Sequence, residues 1–294
     1  MKKTLTKNER VQPFLKWAGG KRQLLANLRQ FYPATFKRYY EPFVGAGAVF
    51  MDIQPQHLTI NDFNNELINA YLVIQNDVDH LIALLKTHAT NNSKEYFYKI
   101  RELDRNGTID EMDPAERAAR LIYLNKTCYN GLYRVNSKGQ FNVPFGNYKN
   151  PNIVNEPILN AVSLYLNKNR ETIDILNGDF EAACAQANEG DFVYFDPPYA
   201  PVASIKQSFV SYTLNGFGEQ EQKRLRDLFV RLDKKGCFVM LSNADVPLIR
   251  DLYCDYADTT YVVGATRAIN SNSSGRGKVN EVIITNRYPY KEFT

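Results

Sequence analysis

The sequence has little cross-linking or metal-ligating chemistry to offer. Its four cysteines, Cys128, Cys184, Cys237 and Cys254, are widely scattered and form no Cys-x-x-Cys pair. His57, His80 and His88 share no ligand spacing with them or with one another. A disulfide framework and a metal site are therefore not expected, and a reducing cytoplasm fits this usage best. No apolar run approaches the ~20 residues that a membrane span needs. Residues 1–10 are basic but lead into no apolar core, so no signal peptide is expected. Internal repeats and low-complexity segments are also missing. Gly45 and Gly47 follow a strand-like run, but Phe50 stands where a dinucleotide fingerprint carries its third glycine. That departure argues against NAD and against a pyrophosphate cradle.

What remains is the composition of a globular protein, 44% hydrophobic and 23% charged over 294 residues, long enough for two domains. The net charge of +4 says little until its distribution is read. Arg117, Arg120, Lys126, Arg134, Lys138 and Lys149 occur in a stretch without an acidic residue, and a second such stretch carries Arg267, Arg276 and Lys278. Two positive patches on a nearly balanced chain point to a polyanionic partner, with a solvated surface stripe as the alternative.

Apolar runs predict strands at 38–44, 58–62, 172–176, 192–195, 237–241, 260–263 and 279–285. Between about 66 and 124 the period turns helical: Leu67, Ala70, Tyr71 and Ile74 share a face, as do Leu81, Leu84 and Leu85, and Pro114 is placed to start a helix. Residues 128–149, rich in Gly, Asn and Tyr, read as a hairpin and loops with polar tips, outside the core, with Arg134 at the hairpin tip. Strands alternating with helices predict a doubly wound α/β sheet, with the block at roughly 66–165 inserted into it. Ligands of such sheets bind beyond the carboxyl ends of the strands, where Gly45–Gly47, Asp62 and Asp196 would converge.

The most informative segment is Phe195-Asp196-Pro197-Pro198-Tyr199, which closes the apolar run Phe192–Phe195. The Asp196 carboxylate can accept one N–H of an amino group. The Pro197 carbonyl can accept a second, because the residue before a proline is held extended and proline has a fixed φ. Tyr199 offers a flat face for stacking. Together they fit the exocyclic amine of a nucleobase; alone, an Asp-Pro-Pro turn that ends a strand is the other reading. Lys16-Trp17-Ala18-Gly19-Gly20-Lys21 holds the single tryptophan and reads as a ligand lid with Lys21 facing a carboxylate, or else as a surface turn. Asp62 is placed either to bind the two hydroxyls of a ribose or as an exposed turn acid.

Five segments, Phe14–Lys21, Glu41–Gly47, Tyr129–Arg134, Phe141–Gly146 and Asp196–Tyr199, resemble the Dam-type DNA adenine N6-methyltransferases, in that family's order and over residues 12–286. The resemblance extends to GATC-specific members that serve restriction systems. It implies an S-adenosylmethionine-dependent, Rossmann-like catalytic domain (1–65 and 166–294) with an inserted, mainly helical DNA-recognition domain (66–165). It implies S-adenosylmethionine at Trp17, Lys21, Phe43, Gly45, Gly47, Asp62, Asp179, Phe180 and Asp196, and catalysis at Asp196, Pro197, Pro198 and Tyr199. Double-stranded DNA would meet Lys16, Asn130, Leu132, Tyr133, Arg134, Asn142, Pro144 and Tyr148. Val135 and Asn147 depart from residues that some relatives carry, an aromatic and an arginine. The implied reaction flips adenine out of the duplex and transfers methyl in line to N6, with no covalent enzyme intermediate and no metal. A monomer acting on DNA, with a cognate endonuclease of the same site as a conceivable companion, completes this expectation. Methylation of cytosine N4, an RNA base or a glutamine amide, and an inactive DNA-binding protein of the same fold, are the competing readings.

Overall fold

The computed structural model describes residues 8–201, 216–265 and 279–290. The elements run α1 (Leu25–Leu28), β1 (Tyr39–Glu41), α2 (Ala48–Ile53), β2 (Leu58–Asp62), α3 (Asn65–Asn76), α4 (Val78–Thr90) and α5 (Lys94–Glu102). They continue with α6 (Pro114–Thr127), α7 (Glu156–Lys168), β3 (Ile173–Asn177), α8 (Phe180–Ala183) and β4 (Phe192–Phe195). The last are α9 (Glu219–Lys234), β5 (Phe238–Ala244), α10 (Pro247–Leu252), β6 (Thr260–Ala265) and β7 (Val279–Thr285).

The chain divides into two compact units. The first takes the described residues of Met1–Gly20 with Gly45–Gln56 and Asn64–Asn177. Its helices follow from the pattern noted above: α3 buries Leu67, Ala70, Tyr71 and Ile74 and packs on α6 and α7. The Asn64 side chain caps α3 at the Leu67 N–H. Helix α6 opens at Pro114, as expected, under a capping box in which Asp113 and Glu116 exchange side-chain-to-backbone bonds. Such a box satisfies two of the donors that a helix start leaves unpaired. Strand β3 belongs to this unit and packs on α3.

The second unit takes Lys21–Val44, His57–Phe63 and the described residues of Gly178–Thr294. It holds the other six strands described, in the order β2-β1-β4-β5-β7-β6. Strand β1 runs parallel to β2 and β4, and β4 parallel to β5, while β7 runs antiparallel to β5 and β6. Every residue of β4 is buried, as a strand covered on both faces must be. The architecture is therefore mixed α/β, parallel where the candidate site lies.

Four strands differ from expectation: β3 is shifted by one residue, β6 runs on to Ala265, and β1 and β5 differ for identifiable reasons. β1 stops at Glu41 and does not reach Val44, because Pro42 has no N–H to donate to a ladder. β5 continues past Leu241 to Ala244, because β7 pairs with it through Ala244↔Glu281. Among the described residues, no helix is long and apolar enough to cross a membrane, and no group of His, Cys, Asp and Glu could hold a metal ion.

Candidate active site

In the second unit, register puts four chain segments at one edge of the parallel strands. Glu41 pairs with Ile60 and Phe195 with Leu241, so Pro42-Phe43 and Asp196 leave their strands at the carboxyl side, level with Asp62 at the end of β2 and Ser242-Asn243 within β5. Lys21, only 3% exposed, brings its Nζ to 2.7 Å from Asp196 Oδ1. The same ammonium lies 4.8 Å from the centre of the Tyr199 ring. The carboxylate that Lys21 faces here is one of the chain's own. Burial pushes the Asp196 carboxyl up to about 6, against the pull of Lys21 and with the help of the Glu281 charge. At neutral pH the ion pair keeps this desolvated group an acceptor.

The Asp-Pro-Pro-Tyr loop is tied down by three side chains that sequence reasoning did not single out. Gln222 of α9 donates to the Pro198 carbonyl at 2.9 Å. Asn243, in the last turns of β5, accepts the Ala200 N–H at 3.1 Å and donates to Gln222 Oε1 at 3.1 Å. Tyr199 donates its hydroxyl to Glu281 of β7 at 2.8 Å. The only sequence signal for them was their polarity at the ends of apolar strands and on the buried stripe of a helix. A fourth, Asn61, donates to both the Pro42 and Gly178 carbonyls at 3.0 Å, fixing the chain that leaves β1.

The other expected cofactor residues of this unit are placed as follows. Asp62 ends β2 with a half-buried side chain. Phe43 stacks on Phe180 at 5.3 Å, and Phe180 is itself part of the apolar core. Asp179 caps α8 at the Glu181 N–H and pairs with Arg224 at 3.0 Å. Phe180 and Asp179 thus have structural partners already.

In the first unit, Trp17 stacks on Tyr133, ring centres 4.8 Å apart and planes 18° from parallel. A Cβ at Gly45 would come within 3.0 Å of the indole, and one at Gly47 within 2.6 Å of the Tyr71 hydroxyl and into the Phe50 ring. Both glycines have positive φ, 48° and 72°, and Gly47 opens α2. Their packing on Trp17, Phe50 and Tyr71 accounts for the absence of a side chain at either position. Asn125, fully buried on α6, accepts the Lys16 N–H and donates to the Lys16 and Gly131 carbonyls. One amide thereby joins the Lys16-Trp17 segment to the chain that follows α6.

Three expectations about residues 117–149 need correction. The segment is not outside the core: Cys128, Phe141 and Val143 are buried, and Asp104 holds the Phe141 N–H while Arg105 holds its carbonyl. Apolar side chains at alternate positions of the returning leg face inward, a pattern hidden by the surrounding Asn and Gly. Arg134 does not sit at the hairpin tip, which is the Asn136–Gln140 turn. It stands on the leg, opposite Asn142, whose Oδ1 accepts its Nε–H at 2.7 Å. The basic stretch is also smaller than its count, since Arg117 pairs with Glu66 and the buried Arg120 pairs with Asp104. Arg134, Lys138 and Lys149 stay exposed, as do Lys16, Asn130, Pro144 and Tyr148, while Leu132, Tyr133 and Asn142 are half-buried. The second basic stretch, with Arg267, Arg276 and Lys278, lies outside the described residues.

Comparison with known proteins bears on this geometry. A family model described as D12 class N6 adenine-specific DNA methyltransferase matches residues 17–269. The chain is 50% identical to the type II methyltransferase M1.LlaDCHI of Lactococcus lactis subsp. cremoris, over 96% of this chain and 98% of that protein. It is 41% identical to the type II methyltransferase M.MjaIII of Methanocaldococcus jannaschii, covering 94% and 99% of the two chains. To the DNA adenine methylase of Escherichia coli K12 it is 33% identical, over 92% and 93%. Its strand-end carboxylate with a lysine partner and a tyrosine is thus set in a chain that belongs, over nearly its full length, to the D12 class N6 adenine-specific DNA methyltransferases.

Proposed function

We propose that the chain transfers methyl from S-adenosylmethionine to adenine N6 in double-stranded GATC, with the adenine flipped out of the helix. The observation that carries this reading is the Lys21–Asp196 pair beside the Tyr199 ring at the carboxyl end of β4. Adenine N6 is a poor nucleophile while its lone pair is delocalised into the ring. Asp196 and the Pro197 carbonyl accept its two hydrogens, which favours a pyramidal nitrogen, and the carboxylate stabilises positive charge as it grows there. Lys21 keeps Asp196 ionised. Tyr199 stacks on the displaced base and offsets part of the few kcal/mol that unstacking costs. Pro198 holds the turn between them.

The donor set fits the cofactor: Asp62 at a strand end is an acceptor for ribose hydroxyls, Phe43 and Trp17 offer apolar faces, and Gly45 and Gly47 form the positive-φ turn that opens α2. Bound there, S-adenosylmethionine supplies an electrophilic methyl on a sulfonium. In this reading Asp179 and Phe180 also contact the cofactor, Phe180 beside the Phe43 ring. Residues 66–165 form the target-recognition domain, whose Asn130, Leu132, Tyr133, Asn142, Pro144 and Tyr148 contact DNA together with Lys16 of the amino-terminal segment, and Arg134 reads a guanine edge. The protein acts as a monomer in the cytoplasm, where a restriction endonuclease of the same site would be its functional companion. Three buried free thiols suit a reducing compartment.

The test is methyl incorporation from labelled S-adenosylmethionine into duplexes carrying GATC or single-base variants of it, and into matched RNA. Label on adenine in the GATC duplex alone is the expected result. Equal label on the variants would remove the sequence assignment, and label on cytosine or RNA would remove the substrate. A duplex with 2-aminopurine at the target position should brighten on binding if the base leaves the stack.

A further inference from the structure

The loop that carries the reacting groups is held by side chains that touch no reacting atom. Gln222 is 1% exposed, Asn243 fully buried and Glu281 8% exposed. Buried polar groups cost stability unless they are hydrogen-bonded, and an apolar side chain of similar volume would suit a core position better. Most of their buried neighbours follow that rule: Leu225, Leu228 and Phe229 on α9, Val239, Met240 and Leu241 on β5, and Val282, Ile283 and Ile284 on β7. Gln222, Asn243 and Glu281 come from three different elements and all bond to the same loop, whereas the other buried polar side chains of these strands, Ser242 and Thr285, bond Tyr194 and Tyr290. Gln222 holds the carbonyl before Tyr199, Asn243 the N–H after it, and Glu281 its hydroxyl. Asn243 also bonds Gln222, so the two amides orient each other.

We propose that Gln222, Asn243 and Glu281 are positioning residues for methyl transfer, a clamp that fixes the backbone on both sides of Tyr199 and the direction of its ring. The proposal rests on the reading of Asp196, Pro197 and Tyr199 as the groups that receive the adenine. Two acceptors separated by one peptide bond must aim at one nitrogen, and a small misplacement of such groups lowers the rate of transfer far more than it lowers binding. Gln222 reaches the Pro198 carbonyl, one residue beyond the acceptor carbonyl, so its bond limits rotation of the turn. Glu281 holds the tyrosine by a charge-assisted bond to β7, and this direction is kept before DNA arrives. The clamp serves kcat, and cofactor and DNA contacts lie elsewhere.

Single-turnover methyl transfer to a GATC duplex, with separate Kd measurements for S-adenosylmethionine and DNA, tests this in Gln222→Leu, Glu281→Leu and Glu281→Gln. The two leucine variants should lose at least tenfold in the rate of transfer while both affinities stay within threefold. Glu281→Gln should recover most of the rate, because its amide oxygen still accepts the tyrosine hydroxyl. Transfer at the wild-type rate in both leucine variants overturns the clamp, and so does a loss in Glu281→Gln equal to that in Glu281→Leu. A matching loss of cofactor or DNA affinity also overturns it, since the residues would then support the fold at large. Asp196→Ala, run alongside, separates the two proposals. If it retains the rate, the assignment of the loop fails and the clamp fails with it. If it is inactive while the leucine variants are not, only the clamp fails.

Discussion

The loop after β4 and the hairpin after α6 both present side chains on irregular backbone, yet they are held by different chemistry. The loop is gripped by neutral amides and one carboxylate, each reaching a backbone group or hydroxyl of the Pro198–Ala200 segment. The hairpin is gripped by charge: Asp104 lies between Arg105 and Arg120 and holds the Phe141 N–H, while Arg105 holds the Phe141 carbonyl and Arg101 reaches the Val143 carbonyl. A charged network around Asp196 would compete with its single lysine partner and change the charge on the acceptor. The two neutral amides fix position and leave that charge alone, and the one carboxylate, Glu281, adds only a smaller upward push to that of burial. The hairpin carries no titrating acceptor, so paired charges can serve there. The contrast teaches that what a loop must do chemically restricts what is allowed to hold it.

The largest way to break the comparison is on the hairpin side. Asp104→Ala leaves the Arg120 guanidinium, 7% exposed, without its carboxylate. The loss of one partner of such a buried pair should cost about 3–5 kcal/mol of stability. A denaturant titration reads it directly, and an unchanged midpoint would mean that charge is not what anchors this hairpin.

On the loop side, Asp196→Ala should leave the fold and DNA affinity near wild type and lower methyl transfer by roughly 10²–10³-fold, about 2.7–4 kcal/mol in the barrier. Retention of more than about a tenth of the rate, under ~1.4 kcal/mol, would deny Asp196 its part.

Arg134→Ala sharpens the hairpin's purpose. Bidentate readout of guanine predicts a loss of ~1–3 kcal/mol on the cognate duplex and relaxed discrimination at that one base. A phosphate contact predicts uniform weakening on every sequence with a shallower salt dependence. The Asn142 side chain accepts the Arg134 Nε–H and so fixes the guanidinium on the leg of the hairpin.

The smallest effect is the one that acid produces. Burial holds the Asp196 carboxyl at about 6, above its ordinary value of 3.8. Protonation removes the acceptor, so the rate of transfer should fall as pH drops through about 6, roughly tenfold for each further unit. Stability moves the other way through this group. A raised carboxyl favours the protonated native state, a contribution present below 3.8 and lost as pH rises through about 6. A pH–rate profile flat from 7 to 5 would show that the acceptor lies elsewhere.

Much of this was legible in the chain. β2, β4 and β7 begin and end where runs of β-branched and aromatic residues do, and Pro114 marks the start of α6. Strand-end carboxylates Asp62 and Asp196 were legible because register and the parallel order follow from alternating strands and helices. The inward face of Phe141 and Val143 was not, because a segment dense in Asn and Gly shows no clean period. Nor was the loss of Arg117 and Arg120 from the basic face, since a count of cations says nothing of acids elsewhere, here Glu66 and Asp104.

By itself, then, the amino-acid sequence determined the local elements, the strand that ends at Asp196 and the family to which the chain belongs. These depend on neighbours within a few positions, where periodicity and turn residues act. Only the tertiary structure decided which polar residues meet. Lys21 and Asp196 are far apart in the chain, and so are Tyr199 and Glu281, Asn243 and Ala200, and Asn125 and Lys16. Each pair is joined because packing of apolar faces brings two remote segments together, and a buried polar group must then bond whatever it meets there.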